Sequence, residues 1–298
     1  MGPLSRREFA AVAAGGAAAA PAFPGQPADR ITAAEVVDRI RRNAGGDWKD
    51  GSVDTFKAGD PATVVTGIVT TAMATLAVLQ SAVTSGANLV ITCEPTFFSK
   101  GDAPNPPVDR AQRTVPDAVF ASKRAFIEKN GLVVWRFHDH WKLRAPDPLC
   151  QGLAAEMVWT KYQIPGDASR FNLPPRTLEA LAAELKRKLG IRGGIRVVGD
   201  RRTIIRGVGL LTGSTPLASS MSMMPGVDAV IAGEVREWEA VEYAQDLVTS
   251  GVRKGLILLG RVVSEEPGMK ACAGWLRTVV PEIPVRWIAA GDPYWRPA

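Results

Sequence analysis

Apolar positions along this chain recur with a helical period in some stretches and as short β-branched runs in others, and the two kinds of stretch take turns. Ile31, Val36, Val37 and Ile40 form one stripe, which predicts a helix over residues 30–43 with Thr32 as its cap. Residues 45–60 are rich in Gly and Asp and read as loop. Residues 64–71 are a β-branched strand. Leu76, Leu79 and Val83 then give residues 75–85 an inward helical face, which Gly86 stops, and residues 89–92 are the next strand. Strand, helix and strand at this spacing call for a right-handed crossover and a parallel pair.

The alternation continues to the far end. Helices are predicted over 116–129, 147–159, 177–189, 237–250 and 267–280. The one at 177–189 aligns Leu178, Leu181, Leu185 and Leu189. Strands are predicted over 132–137, 195–198, 204–212, 229–232, 256–260 and 285–289. Residues 165–175 read as a linker. The expected architecture is α/β: two similar lobes with mixed sheets, over residues 30–164 and 176–298, with a cleft between them.

Composition narrows this picture only slightly. A chain of 298 residues with 46% hydrophobic and 22% charged residues can bury a sizeable core and is not disordered as a whole. Its net charge of +6 comes without a Lys/Arg tract interleaved with aromatics, which argues against nucleic-acid binding. No later apolar run is long enough to span a bilayer. The first residues are more telling. Ser5-Arg6-Arg7-Glu8-Phe9, an Ala/Gly run to Ala20 and the small residues Ala20-Pro21-Ala22 follow the order of a twin-arginine signal peptide over residues 1–22. The expected product starts near Phe23 and is periplasmic or extracellular. Cys93, Cys150 and Cys272 are an odd, scattered set and no disulfide framework, and Cys272 reads as a buried apolar residue.

The candidate chemistry lies at strand ends. His138 and His140, the chain's two histidines, share one strand exit, and in extended backbone residues two apart face the same side. Both could meet one ion or one substrate. Glu94 is a carboxylate at another strand end. Cys93 could add a soft donor to the same ion only if the turn begins at these two residues, because adjacent strand residues face opposite ways. Glu265 and Glu266 follow a third strand, with Ser264 as a cap, although acids in a first helical turn also serve the helix dipole alone. Residues 190–194 and 213–215 match neither a P-loop nor a dinucleotide fingerprint, and no G-x-S-x-G elbow is present. Trp135, Trp141 and Trp238 read as core or cleft walls.

Taken together, these strand ends resemble the Nif-three-like dinuclear metal-centre family, the GTP cyclohydrolase I type 2 homologues. The likeness runs from about Arg30 to Trp295. It rests on the order of elements, on residues 86–92 entering the turn, on the histidine strand, on Ala232-Gly233-Glu234-Val235-Arg236 and on Ser264-Glu265-Glu266-Pro267-Gly268. The resemblance implies two related α/β lobes around a two-metal site, assembled as a hexameric ring, here without the extra inserted domain of some members. The family's paired histidines fall on Cys93 and Glu94, its next histidine on His138, and its following aspartate on Lys142. Its late histidine falls on Arg261, one in the helix after Gly233 falls on Trp238, and its glutamate is kept as Glu265. The ligands so implied are Glu94, His138, His140 and Glu265, enough for one divalent ion (zinc, iron or manganese) rather than two, with Lys142 and Arg261 orienting a small anionic substrate. Two readings follow. One is a metal-dependent hydrolase. The other is a metal-free oligomeric binding protein in which Lys142 and Arg261 replace the ions' charge.

Overall fold

Strands buried on both faces are continuous β-branched runs rather than alternating ones, and the centre of the first sheet is made of three such runs. In this computed structural model, which describes residues 30–99, 101–102, 118–295 and 297, they are β2 (Ile68–Thr71), β3 (Leu89–Thr92) and β4 (Val133–Arg136), each buried along its whole length. They pair in parallel. β1 (Phe56–Ala58) adds antiparallel beside β4, and β11 (Val285–Trp287) adds in parallel beside β2, giving the order β1-β4-β3-β2-β11. The signal-peptide residues and Pro116 lie outside the described residues.

The second sheet has the order β5-β6-β8-β9-β10-β7, from β5 (Gln163–Ile164), β6 (Asp167–Thr177), β7 (Arg196–Val198), β8 (Ile204–Ser214), β9 (Ala229–Glu234) and β10 (Gly255–Leu258). The central strands β8, β9 and β10 are parallel, and the outer ones are antiparallel. Both sheets are therefore mixed, as the α/β reading required. The predicted linker at 165–175 is instead most of β6. Prolines argued for a linker because they donate no ladder hydrogen bond. β6 accommodates Pro174 and Pro175 where its register against β8 shifts, between Asn172 and Arg176.

Nine α-helices among the described residues cover these sheets: α1 (Ala33–Asn43), α2 (Leu76–Thr84), α3 (Ala118–Lys129), α4 (Asp139–Lys142), α5 (Pro148–Glu156), α6 (Leu178–Lys188), α7 (Leu217–Met223), α8 (Glu242–Thr249) and α9 (Arg261–Val279). Thr32 caps α1 in a reciprocal box with Glu35, and Thr75 and Thr177 cap α2 and α6. Leu178, Leu181 and Leu185 are fully buried, each worth roughly 1.5–3 kcal/mol of apolar transfer. On α2 only Leu79 of the three predicted inward residues is buried. Leu76 and Val83 face outward.

α9 ties the two layers together. Met269, Cys272, Ala273 and Leu276 pack under the first sheet, while its first turns lie against β8 and β9 of the second. The sequence placed this helix at 267–280. It starts six residues earlier, running through Pro267, so Arg261 and Glu265 sit on its first turns rather than in a preceding loop. Gly152 of α5 and Gly268 of α9 meet backbone to backbone: a Cβ on Gly152 would lie 2.5 Å from the Gly268 nitrogen. That contact fixes where the front of α9 points.

Candidate metal centre

β3 ends at Thr92, and the polar turn begins at the next residue. The Cys93 amide still donates to Thr71 O (3.1 Å) and the Glu94 amide to Ala72 O (2.9 Å). The Thr92 hydroxyl donates to Glu94 O (3.0 Å) and accepts from the Ala74 amide (3.1 Å). Because the backbone has left the pleat here, the side chains of Cys93 and Glu94 reach the same place. The condition set by the sequence for their sharing an ion is met.

His138 and His140 part company. β4 stops at Arg136, and residues 139–142 form one helical turn, so the two rings do not share a face. Asp54, fully buried in the preceding loop, makes that turn. Its Oδ1 accepts from the amides of His138 (2.6 Å) and Asp139 (2.9 Å), and its Oδ2 accepts from the His140 amide (2.8 Å). Oδ2 also bonds His140 Nδ1 (2.7 Å), while His140 Nε2 accepts from the Lys49 amide (2.8 Å). The same ring stacks on Trp48 with centroids 3.6 Å apart. Both nitrogens of His140 are thus engaged, and it stands outside the ligand group. His138 differs. Its Nδ1 bonds Asp139 Oδ1 (2.8 Å), which orients the ring and leaves Nε2 as the coordinating nitrogen. Burial pushes the Asp139 carboxyl up, but the bonds from His138 and the Val53 amide hold it below the usual carboxylate range.

The third contribution comes from α9. Gly260 enters it at φ 94°, a backbone that favours glycine. The Ser264 hydroxyl donates to Arg261 O (2.7 Å) and accepts from the Gly213 amide (2.9 Å), which pins the first turn to the end of β8. Glu265 is then directed at Gly213, where a Cβ would lie 2.3 Å from its Oε1. Only a glycine there leaves room for the carboxylate. The Gly213 amide serves Ser264, so residues 213–215 are a support for Glu265 rather than an anion cradle.

One ligand atom each of Cys93, Glu94, His138 and Glu265 lies within 4.8 Å of all the others. Glu94 and Glu265 are both fully buried; among the described residues no donor with a fixed hydrogen is aligned on their four oxygens, and a protonated Glu265 carboxyl can itself bond Glu94. Arg261 Nη2 approaches Glu94 Oε2 at 2.7 Å as an ion pair, and Arg136 Nη2 lies 3.8 Å from the same oxygen. Burial first, and the Glu94 charge second, push the Glu265 carboxyl well above its usual range. Burial and then the charges of Glu265 and Glu94 do the same to the Cys93 thiol. Burial works against the Arg261 charge, but Glu94 beside it holds the guanidinium above its ordinary value. The donors suit a divalent ion: one sulfur, one imidazole nitrogen and two carboxylates fit zinc, iron or manganese. Two buried carboxylates without a fixed donor are costly until a cation joins them.

The group opens into a cleft of about 1100 Å3, lined on this side by Glu94, His138, Arg136, Lys142 and Arg261. Lys142 Nζ also donates to Thr212 O (3.2 Å). Both residues expected to orient a substrate therefore line the cleft, Arg261 while paired to Glu94. Trp135 and Trp141 are core residues as expected. Trp238 is not, being 72% exposed with Arg236 over its ring. Sequence reading missed Asp54, an acid among several in a Gly/Asp-rich loop. It also missed Arg136, which reads as one more strand residue although its Nε donates to Cys93 O (3.0 Å).

Residues 168–291 match the family model Duf34/NIF3 (NGG1p interacting factor 3). The fold is similar to that of the Staphylococcus aureus protein SA1388 (TM-score 0.66, 17% identity, 90% of this chain and 100% of that one). It is also similar to the protein ybgI (0.64, 20%, 88% and 100%) and to a Bacillus cereus protein related to NIF3 (0.64, 13%, 91% and 100%). No curated protein matches this chain.

Proposed function

We propose, from the premise that this chain belongs to the Duf34/NIF3 family, that it binds one divalent metal ion through Cys93, Glu94, His138 and Glu265 and acts as a metal-dependent hydrolase on a small anionic substrate. The observation that carries this is the pair of fully buried carboxylates, converging with a thiol and an imidazole and lacking an aligned donor with a fixed hydrogen. One ion rather than two follows from Arg261. Its guanidinium lies on Glu94, and a fixed positive charge there repels a second cation.

When bound, such an ion supplies Lewis acidity. The chain's own residues do the rest. Asp139 holds His138 in one orientation. Lys142 and Arg261, at the edge of the cluster, meet the substrate's negative charge, Arg261 through a planar fork that suits carboxylate or phosphate. The buried walls around Glu94 and Glu265 keep bulk water from screening these charges.

A second reading has its own support. The Arg261–Glu94 ion pair, with Glu265 held toward its neutral form, balances part of the charge without an ion, as a metal-free anion-binding protein requires. Metal content separates the two. Chelator-treated protein, reloaded and desalted, is expected to hold about one equivalent of zinc, iron or manganese, and Glu94→Ala to lose it. Less than about half an equivalent, unchanged by Glu94→Ala, overturns the metal reading. The proposal extends to self-association in a ring and to export by the twin-arginine route. Light scattering tests the first, and cell fractionation of an Arg6→Lys, Arg7→Lys double variant tests the second.

A further inference from the structure

We infer that the cleft beside the ligand group selects a phosphate monoester attached to a flat or apolar body. This deepens the proposed function, on which it relies only for where the anion sits. Lys142, Arg236 and Arg261 line the cleft as cations, Arg236 beside Glu239 and Arg261 beside Glu94, while Lys123 and Arg136 are buried in its wall, held by Thr96 O and by Glu94 and Asp102. Lys142 and Arg261 favour an anionic group there. Arg261, with 30% of its side chain exposed, offers a fork that matches phosphate oxygens bidentately, while Arg136 is buried against Cys93, Glu94 and Asp102 and shapes the wall.

The opposite side of the same cleft has a different character. Met73, Leu76, Phe98 and Val119 line it. Leu76, Phe98 and Val119 are 41, 59 and 63% exposed. Large apolar side chains scattered singly on a surface need no explanation, but three at one cleft mouth mark a place where an apolar group is received. Leu76 opens the outward face of α2, and Phe98 sits in the turn after β3 with φ 51°. The Lys123 ammonium lies 5.4 Å from the Phe98 ring, which brings the apolar and cationic sides together. Inorganic phosphate satisfies only the cationic side, and a neutral aromatic only the other.

Calorimetric titration with phenyl phosphate, inorganic phosphate and phenol at pH 7.5, where the phosphate is largely dianionic, tests this on both chelator-treated and zinc-reloaded protein. Phenyl phosphate is expected to bind at least about tenfold more tightly than inorganic phosphate, with no detectable binding of phenol. Leu76→Ser and Phe98→Ser are each expected to cut that preference by roughly threefold or more while leaving the affinity for inorganic phosphate unchanged, which also reports that each variant is folded. A preference below about twofold, or one that survives both substitutions, or phenol binding as tightly as phenyl phosphate, overturns the inference. The chelator-treated arm reads the cleft alone. A protein that takes up no metal yet keeps the preference sinks the metal reading and supports this one.

Discussion

Two buried polar groups flank the His138 turn, and they are built in opposite ways. Around Asp54 every atom is used: three successive amides and an imidazole meet its two oxygens, and the other nitrogen of that imidazole takes an amide from Lys49. Around Glu94 and Glu265 the carboxylate oxygens converge on each other and on a thiol, with the guanidiniums of Arg261 and Arg136 beside Glu94. The first arrangement is complete without anything further and serves the backbone. The second is incomplete as protein alone and serves something that binds. Two histidines separated by one residue end on opposite sides of that division. Residue type and spacing alone do not mark a ligand. What marks it is whether the atom already has a partner.

The largest effect that would test this contrast is on the Asp54 side. Asp54→Ala leaves one buried and two part-buried amides and the His140 ring without their acceptor, and urea unfolding should show a loss of ~3 kcal/mol or more. A loss under ~1 kcal/mol would mean that the network is not what holds the turn.

The histidines sharpen it next. His138→Ala should weaken metal binding at least about 100-fold with little change in stability, whereas His140→Ala should cost about 2 kcal/mol and leave metal stoichiometry alone. Competition with a chromophoric chelator and urea unfolding, run on both variants, read the two quantities. If His140→Ala loses metal as His138→Ala does, the division drawn here fails.

The smallest effect concerns Glu265. Its carboxyl is held well above the usual 4.5, so the metal-free native state keeps a proton that the unfolded chain has given up. Stability therefore falls as pH rises from that value toward the native one. Gln carries no such penalty. Metal-free Glu265→Gln should match wild type below pH 4.5 and gain on it at higher pH. Urea unfolding across that range should find the gap widening with pH, and a gap that narrows would contradict the burial of an uncompensated carboxyl.

How much of this could be read from the chain depends on whether the cause is local. Capping threonines, the Leu178 stripe and the β-branched runs write their structure into neighbouring residues, and those elements stand close to where the pattern placed them, except that β2 begins at Ile68 rather than at 64. β6 was misread because two prolines are a local signal for a break, while the register shift that admits them depends on β8, far along the chain. Glu94, His138 and Glu265 were legible as acids and imidazole at strand ends. His140 was placed with them because extended backbone was assumed past Arg136. The helical turn that separates the rings is imposed by Asp54, more than eighty residues earlier, and no periodicity encodes that. Cys93 could be placed only once the end of β3 was known to the residue.

β11 has a consequence for how the molecule comes into being. The sheet that is begun first, from residues 56–71, receives its last strand from residues 285–287, so its edge beside β2 stays open while the whole second layer is synthesised and paired. An open parallel edge is a template for unwanted pairing. During that interval the nascent molecule depends on whatever shields β2, and the ligand group, which needs both β3 and α9, is assembled only as synthesis nears its end.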